Sequence, residues 1–376
     1  IALLAPDSHW RMDNFGAAPS RCWVDPLFVE WPMPENVATR LARLRTELAK
    51  QRLDGLIIGR EDMFQGEEVP PGDERLAYIS GFTGSAGFAL ITAYAAVLFS
   101  DGRYSLQMVS QTDPVDWQCH TLPQYNLDDY LDQHPLDGLT IGIDSQLVTM
   151  AGYARYADSI SKASGLFTAI DANPVDAIWH DQPAMPAPSA WRMDDTVAGQ
   201  SVADKLQALA DDLRQQNLGA AVLSRVDAVN WLVNMRGGDL PSTPVNLCFA
   251  FFDCGHGLTL LGDGDRLAPV MDQDIAVKPL ADLPDLLALC AGDTVLIEPA
   301  SLPQALSIEI AASDVEMVEG DCPITPMKAR KNQVEISGFQ RAHHHDAVAM
   351  VKFLQWLSGI NPASCTESEV ATRLEQ

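Results

Sequence analysis

Leucines recur at three- and four-residue spacing in the segment that follows Pro34. Leu41, Leu44 and Leu48 follow this pattern, and an apolar run over residues 53–59 comes next. Such spacing places side chains on one face of a helix, and a short apolar run bounded by glycine is typical of a buried strand. We therefore predict a helix that begins near Pro34 and a strand over residues 53–59.

The same pattern returns 165 residues later. Six residues have identical partners at this offset, namely Leu41, Leu44, Leu48, Leu53, Arg60 and Asp62 with Leu206, Leu209, Leu213, Leu218, Arg225 and Asp227. The turn dipeptide Asp101-Gly102 is also repeated, as Asp263-Gly264. A repeat of this length indicates a domain duplication rather than a solenoid. The sequence therefore predicts two homologous α/β domains.

A glycine-rich run at residues 78–87 precedes further predicted elements. We interpret it as a strand, a tight glycine turn and a second strand from Phe88, because no helix start follows the glycines. Strands are also predicted at 139–144 and 294–298, and helices at 150–164 and 331–357. Thr366 and Glu369 form a capping box that predicts a last helix.

Composition shifts divide the chain into five segments. Residues 1–33, with three tryptophans, are predicted to form an irregular arm. Residues 34–172 form the first domain, and the proline-rich residues 173–200 form a linker. Residues 201–326 form the second domain, and residues 327–376 begin a third unit.

Charge and cysteine content exclude several classes of protein. The net charge of −26 would repel phosphate backbones, which argues against nucleic-acid binding. The seven cysteines are odd in number and scattered, which favours a reducing cytoplasm over a zinc or disulfide framework. No apolar run approaches the roughly 20 residues that span a bilayer, so no membrane partner is expected. The first residue is Ile, and we expect the gene to begin earlier.

Several polar clusters have simple structural interpretations. The spacing of Gly81, Gly84 and Gly87 suits a phosphate loop, but the next segment is predicted to be a strand and supplies no helix N-terminus. Residues 343–345 are consecutive histidines, which point in different directions on a helix and cannot share one ion. Asp62 and Asp73, with two nearby glutamates, are predicted to lie in a solvated acidic loop. From the residues alone, Arg103 is a solvent-facing arginine at a turn.

Longer motifs are similar to those of a known family. They occupy residues 73–87, 101–107, 173–179, 230–239 and 342–347. In this order they resemble the Xaa-Pro aminopeptidases (aminopeptidase P), in the long three-domain, cytosolic-type branch of the creatinase/pita-bread metallopeptidases. Phe64 and Glu68 depart from the residues that relatives often carry, His and Tyr, which places the substrate contacts of that loop in doubt.

The resemblance implies a fold, a reaction and one site residue. It implies two tandem creatinase N-terminal-like (ribonuclease H-like) mixed-sheet domains, followed by the start of a pita-bread catalytic domain. The family releases the N-terminal residue of Xaa-Pro peptides with two manganese or similar ions. Of its functional residues only Arg103 is carried over, as a substrate-binding residue; no catalytic or metal-binding residue is. The resemblance also implies a proline-containing peptide as substrate, a cytoplasmic location and a possible homodimer.

We expect the family's metal ligands to lie beyond Gln376, and this chain alone to be inactive. One alternative is a non-catalytic interaction module that retains two creatinase-like domains. Another is an amidinohydrolase related to creatinase, which the Asp-Gly-Arg-Tyr motif at residues 101–104 disfavours.

Overall fold

The computed structural model describes residues 36–272, 274–361 and 364–376. The arm predicted for residues 1–33 lies outside this described part. The strands are β1 Gly55–Gly59, β2 Phe88–Thr92, β3 Ala96–Asp101, β4 Gln118–Leu122, β5 Thr140–Asp144, β6 Leu166–Ile170, β7 Trp191–Arg192, β8 Ala220–Leu223, β9 Met235–Arg236, β10 Phe249–Asp253, β11 Gly257–Leu261, β12 Ala276–Lys278, β13 Thr294–Ile297 and β14 Glu316–Glu319.

The helices connect and cover these strands. They are α1 Val37–Lys50, α2 Arg75–Ser80, α3 Ser105–Gln111, α4 Leu127–Gln133, α5 Met150–Lys162, α6 Asp195–Ala198, α7 Val202–Gln215, α8 Val226–Leu232, α9 Gly264–Leu267, α10 Leu283–Leu289, α11 Gln304–Ala311, α12 Ile324–Ala329, α13 Gln333–Gly359 and α14 Glu367–Glu375. The helices and strands predicted from the leucine pattern are confirmed as α1, β1, α7 and β8.

Two six-stranded sheets have the same topology. The strand orders are β4-β3-β2-β1-β5-β6 and β12-β11-β10-β8-β13-β14. In the first sheet β1 pairs antiparallel with β2 and parallel with β5. In the second sheet β8 pairs in the same way with β10 and β13. Both sheets are therefore mixed, as the duplication in the sequence predicts.

The central strand of each sheet is buried on both faces. Leu56 and Ile58 contact the core beneath α1, whereas Ile57 contacts the core beneath α4 and α5. Successive strand side chains point to opposite faces, so a continuous apolar run suits a sheet that is covered on both sides. In the second domain Leu223 and Val222 divide in the same way. Each domain thus has three layers.

The glycine-rich segment differs from its prediction. Residues Arg75–Ser80 form helix α2, not a strand, and Gly81 ends the helix in the left-handed conformation with φ of 80°. Leu76 and Ile79 are three residues apart and both lie in the core, which fits a helical turn. The predicted glycine hairpin is therefore wrong, and the hairpin lies between β2 and β3.

The domains meet through equivalent backbone groups. The amide of Met150 donates to the Leu302 carbonyl at 2.9 Å, and the amide of Gln304 donates to the Val148 carbonyl at 2.8 Å. Ala151 to Pro299 and Ala305 to Ser145 form a second reciprocal pair, at 3.0 and 2.9 Å. In each reciprocal pair the two donor residues are separated by the same number of positions as the two acceptor residues (304 − 150 = 302 − 148 and 305 − 151 = 299 − 145), so the interface has approximate internal twofold symmetry.

Phe64 adds a side-chain contact between the domains. Its ring centroid lies 4.9 Å from that of Phe249, and it also packs against the cluster formed by Val226, Leu240 and Val245. The sequence alone left open what Phe64 does in place of the His that relatives often carry. The structure shows that Phe64 packs the first domain onto the second.

The long helix α13 lies largely in solvent. It is 27 residues long, begins with a capping box at Asn332 and Glu335, and has no buried residue. Its exposed apolar side chains include Val334, Ile336, Phe339, Val348, Met350, Val351 and Leu354. The predicted long helix is confirmed, as is the capping box of Thr366 and Glu369 at α14.

Candidate functional site

Arg103 lies at the edge of the first sheet, one residue after the Asp-Gly turn. Asp101 ends β3 and its carboxylate accepts from the Arg103 amide at 2.9 Å, which starts a short 3₁₀ turn before α3. The same carboxylate accepts from Arg103 Nε at 3.0 Å and Nη2 at 2.7 Å. Asp101 therefore holds the Nε and Nη2 side of the guanidinium in place.

The guanidinium remains accessible. The Arg103 side chain is 61% exposed. Hydrogen bonds from Arg103 hold the pKa of Asp101 below its ordinary value, so this carboxylate stays ionised at neutral pH. Among the described residues no acceptor binds Arg103 Nη1. A planar donor group with a free edge can bind a carboxylate or carbonyl.

The glycine-rich loop supports the neighbouring tyrosine. The Tyr104 hydroxyl and the Ser85 hydroxyl lie 2.5 Å apart, and the Tyr104 ring meets Phe82 edge-on at 5.8 Å. The Arg103 guanidinium lies 5.1 Å from the Tyr104 ring centroid. Gly84 is required here, because a Cβ at that position would overlap the Phe82 ring. The glycine-rich loop thus packs against Tyr104, whose ring lies beside the Arg103 guanidinium.

The loop at residues 60–68 joins this edge to the second domain. Arg60 Nη1 donates to the carbonyls of Glu67 and Ser85, and Nη2 donates to Glu74 at 2.8 Å. The Glu68 carboxylate accepts from Ser242 N and the Thr243 hydroxyl, both at 3.3 Å. Arg103 therefore lies near a domain junction.

The prediction of a solvated acidic loop is wrong for two of its four residues. Asp62 is 1% exposed and Asp73 is 8% exposed. Asp62 Oδ1 accepts from Phe64 N, but its Oδ2 is buried without a partner among the described residues. Burial, and then the nearby Asp73 charge, raise the pKa of Asp62 to about 6. Asp73 instead binds Arg75 at 2.6 Å.

The three consecutive histidines are all exposed on α13, and His343 Nδ1 lies 2.9 Å from the Phe339 carbonyl. In the described part of the chain, no group of three His, Cys, Asp or Glu side chains could hold a metal ion. These residues do not fit a dinuclear metal centre, and no catalytic step through a metal follows from them.

A second polar location was not found from the sequence. A cleft of about 130 Å³ opens where β1 and β5 end, beside the first turn of α5. Glu61 and Arg155 line it, with Asp144, Asn173 and Tyr156. A comparison of the two repeats gives one signal for this cleft. Gly59 and Glu61 correspond to Ser224 and Val226, so only the first repeat has a glycine and a carboxylate at these positions.

Comparisons with known proteins define the class of the fold. Two matches to the creatinase/prolidase N-terminal domain cover residues 40–176 and 181–335. The chain belongs to the creatinase/prolidase family and carries its N-terminal domain twice. The predicted family resemblance and the predicted tandem mixed-sheet domains are confirmed.

Relatives that match over most of this chain include Xaa-Pro aminopeptidases. "Probable Xaa-Pro aminopeptidase P" of Aspergillus fumigatus is 30% identical over 365 residues, which cover 91% of this chain and 55% of the relative. The protein of the same name from Coccidioides posadasii is 30% identical over 378 residues, which cover 95% of this chain and 56% of the relative. The chain thus spans a little over half the length of these relatives.

A solved structure shares the fold. The crystal structure of X-prolyl aminopeptidase from Caenorhabditis elegans, a cytosolic enzyme with a di-nuclear active site, matches with a TM-score of 0.81 at 24% identity. The match covers 90% of this chain and 59% of that chain.

Proposed function

We propose that this chain forms the N-terminal and middle domains of a metal-dependent Xaa-Pro aminopeptidase. The observation that carries this proposal is the match to Xaa-Pro aminopeptidases over 91% of the chain, at 30% identity. The proposed substrate is a peptide with proline in its second position. The two domains shape the substrate site, and the catalytic centre belongs to the part of the relatives that this chain does not span.

In this proposal Arg103 binds the peptide. Its exposed edge can donate two parallel hydrogen bonds to a carboxylate or a carbonyl, and Asp101 and Tyr104 restrict its motion. Its place near the junction with the second domain suits a residue that reaches into a shared groove.

The exposed face of α13 supports a further packing partner in the whole enzyme. A long helix with apolar side chains on its surface is stabilised when another element covers them. Phe339, Val351 and Leu354 are 52%, 65% and 52% exposed. The proposed occupant is the remainder of the pita-bread domain, which begins with α13.

The whole enzyme is proposed to hold two divalent ions, with manganese as the expected metal. Such ions polarise a carbonyl and lower the pKa of bound water. The C. elegans relative has a di-nuclear active site and is cytosolic, and we propose a cytoplasmic location here too. No helix in the described ranges is both long and apolar enough to cross a membrane. A homodimer of the whole enzyme is part of the proposal.

The test uses both the chain and the whole gene product. With manganese, the whole product should release the first residue of Xaa-Pro-Xaa peptides and leave Xaa-Ala-Xaa peptides intact, whereas the 376-residue chain should release nothing. Rapid release by the chain alone would refute the assignment of the catalytic centre to another part. Failure of the whole product on every Xaa-Pro peptide would refute the activity.

The role of Arg103 has its own measurement in the whole product. Arg103→Ala should raise KM at least tenfold with a smaller change in kcat, because it removes a binding contact. Arg214→Ala, at another exposed arginine, is the matched control. An unchanged KM in Arg103→Ala would remove Arg103 from the site.

A further inference from the structure

The cleft beside β1 and β5 contains two opposite charges that do not bind each other. Glu61 and Arg155 both line it, yet among the described residues neither forms an ion pair or a side-chain hydrogen bond. Four other polar side chains of the lining already form hydrogen bonds, namely Gln65, Asp144, Thr149 and Asn173. Asp144 accepts from Gln146 N and Asn173 Nδ2, both at 2.9 Å, so it is not free to bind a ligand.

The first turn of α5 is also occupied. Thr149 Oγ1 accepts from Gly152 N at 2.9 Å, while the amides of Met150 and Ala151 donate to carbonyls of the second domain. The cleft therefore does not act as an anion site at a helix N-terminus. Among the described residues, the charged groups of the lining that have no hydrogen-bond partner are the Glu61 carboxylate and the Arg155 guanidinium.

The backbone makes room for the carboxylate. Gly59 is the last residue of β1, and a Cβ built on it would overlap Oε2 of Glu61. The Glu61 carboxylate thus lies against the bare Cα of Gly59. In the second domain the equivalent residues are Ser224 and Val226, which supply a side chain at the first position and no charge at the second.

The equivalent place in the second domain is closed. The space bounded by Val222, Ser224 and Glu298 is only about 10 Å³. Arg225 Nε and Nη2 bind the Glu298 carboxylate at 2.6 and 2.9 Å, and Ser301 donates to it at 2.5 Å. The space at the strand ends is therefore filled in the second domain, whereas in the first domain it is open and lined by charged groups.

We propose that the first-domain cleft binds a small free α-amino acid, whose ammonium group contacts Glu61 and whose carboxylate contacts Arg155. The opposite charges match a zwitterion, and a carboxylate is the ligand that a guanidinium binds best. Ile57, Ile143, Leu147 and Val148 supply an apolar lining for a short side chain. About 130 Å³ holds a few waters or one small amino acid, but not a large aromatic one.

The environment of Glu61 adds a pH dependence. Burial raises the pKa of Glu61 to about 7, while the charges of Arg155 and Arg60 oppose this shift and Asp62 adds to it. Asp144 and Tyr156 also border the cleft, Asp144 with its pKa raised mainly by burial. An ammonium ligand favours the ionised form of Glu61, so affinity should rise between pH 6 and pH 8.

The test is equilibrium dialysis of the 376-residue chain with radiolabelled L-alanine, with proline, glycine and tryptophan as competitors. We expect saturable binding at one site with a Kd of about 1 mM or lower, and no competition by tryptophan. Two analogues each remove one charge: N-acetylalanine lacks the ammonium group and alaninamide lacks the carboxylate. Each should bind at least tenfold more weakly.

Three variants locate the site. Glu61→Gln and Arg155→Met should each weaken alanine binding at least tenfold, and Gly59→Ser should do the same because its Cβ displaces the carboxylate. Gly59→Ser should still fold, since only the flexible end of Glu61 must move and Ser224 occupies the equivalent position. Glu316→Gln, at an exposed glutamate, is the control and should bind as the parent does.

Absence of saturable binding by any probe would overturn the proposal. So would binding that survives all three variants, because the ligand would then lie elsewhere. The proposal does not depend on the proposed peptidase activity, and neither result would bear on that activity.

Discussion

In the second domain Arg225 follows β8 and binds Glu298 with two nitrogens, whereas in the first domain the equivalent Arg60 binds Glu74 and leaves the space beside Asp144 open. The two sheets have the same strand order, so the difference arises from side chains and not from topology. The two copies of a duplicated fold can therefore keep the same core, while the side chains at the strand ends differ between them.

The Asp-Gly turns show the same contrast. In the second domain the turn at Asp263 is followed by Asp265 and Arg266, and the partly buried Arg266 binds Asp239 and the Pro188 carbonyl. In the first domain the turn is followed by Arg103, which is exposed. In the second domain Arg225 and Arg266 stabilise loops, whereas Arg103 and Arg155 of the first domain are exposed and available to ligands. The following predictions test this contrast.

The largest expected effect lies in the shared cores. Leu44 and Leu209 are equivalent and both are fully buried. Leu44→Ala and Leu209→Ala should each lower the free energy of unfolding of their own domain by about 3 kcal/mol, through lost burial and the cavity that remains. Urea denaturation followed by tryptophan fluorescence measures both. Leu106→Ala, at an exposed leucine, should change it by less than about 0.5 kcal/mol. Clearly unequal costs would show that the repeats pack differently.

The next effect distinguishes a structural arginine from an available one. Arg225→Met removes two charge-assisted hydrogen bonds from a carboxylate that is 10% exposed, and should cost about 2 kcal/mol. Arg155→Met removes no ion pair and should cost less than about 0.5 kcal/mol. The same denaturation experiment measures both variants. A large loss in Arg155→Met would mean that Arg155 supports the fold and would weaken its assignment to a ligand.

Stability should depend on pH with opposite signs in the two domains. The pKa of Glu61 is about 7 in the folded chain and near 4.5 when unfolded, so the unfolded state releases its proton first. First-domain stability should therefore fall as pH rises from about 4.5 to 7. Burial opposes the shift at Glu298, but hydrogen bonds from Arg225 and Ser301 outweigh it and hold its pKa below the ordinary value. Second-domain stability should instead be lost at acidic pH, below about 4.5.

Glu61→Gln tests that sign directly. It should remove part of the slope between pH 4.5 and 7 and stabilise the first domain at pH 8 by on the order of 1 kcal/mol, because no buried charge then forms. Asp62 contributes a slope of the same sign and remains in this variant. Thermal unfolding at several pH values measures the change, with Glu316→Gln as control. Destabilisation of Glu61→Gln at pH 8 would contradict the burial argument.

Sequence reasoning succeeded where one pattern controls the structure. The leucine spacing predicted α1 and α7, because an amphipathic helix needs its apolar stripe wherever it packs. It failed at Arg75–Ser80, where Tyr78 and Ile79 favour a strand locally but the core accepts them from a single helical turn. The burial of Asp62 near Asp73 likewise follows from the tertiary packing of its loop, which no local pattern encodes.

The candidate sites also include one feature that the sequence predicted and one that it did not. The turn at Asp101 followed from the Asp-Gly dipeptide, and the structure shows that the Asp101 carboxylate also caps the short turn before α3. The open cleft required knowledge of which polar groups are already paired. Asp144 and Glu61 are both carboxylates near strand ends, and only the three-dimensional hydrogen bonds show that Asp144 is satisfied and Glu61 is not.

The smallest expected effect is at Arg103. Arg103→Ala should leave the free energy of unfolding almost unchanged, because its bond to Asp101 is exposed to solvent and screened. Asp265→Ala, at the equivalent position of the other turn, is the matched control and should be equally mild, since Asp265 is exposed and the capping carboxylate is that of Asp263. Both are measured by urea denaturation. A clear loss of stability in Arg103→Ala but not in Asp265→Ala would make Arg103 a structural residue like Arg266, and would weaken its proposed contact with a peptide.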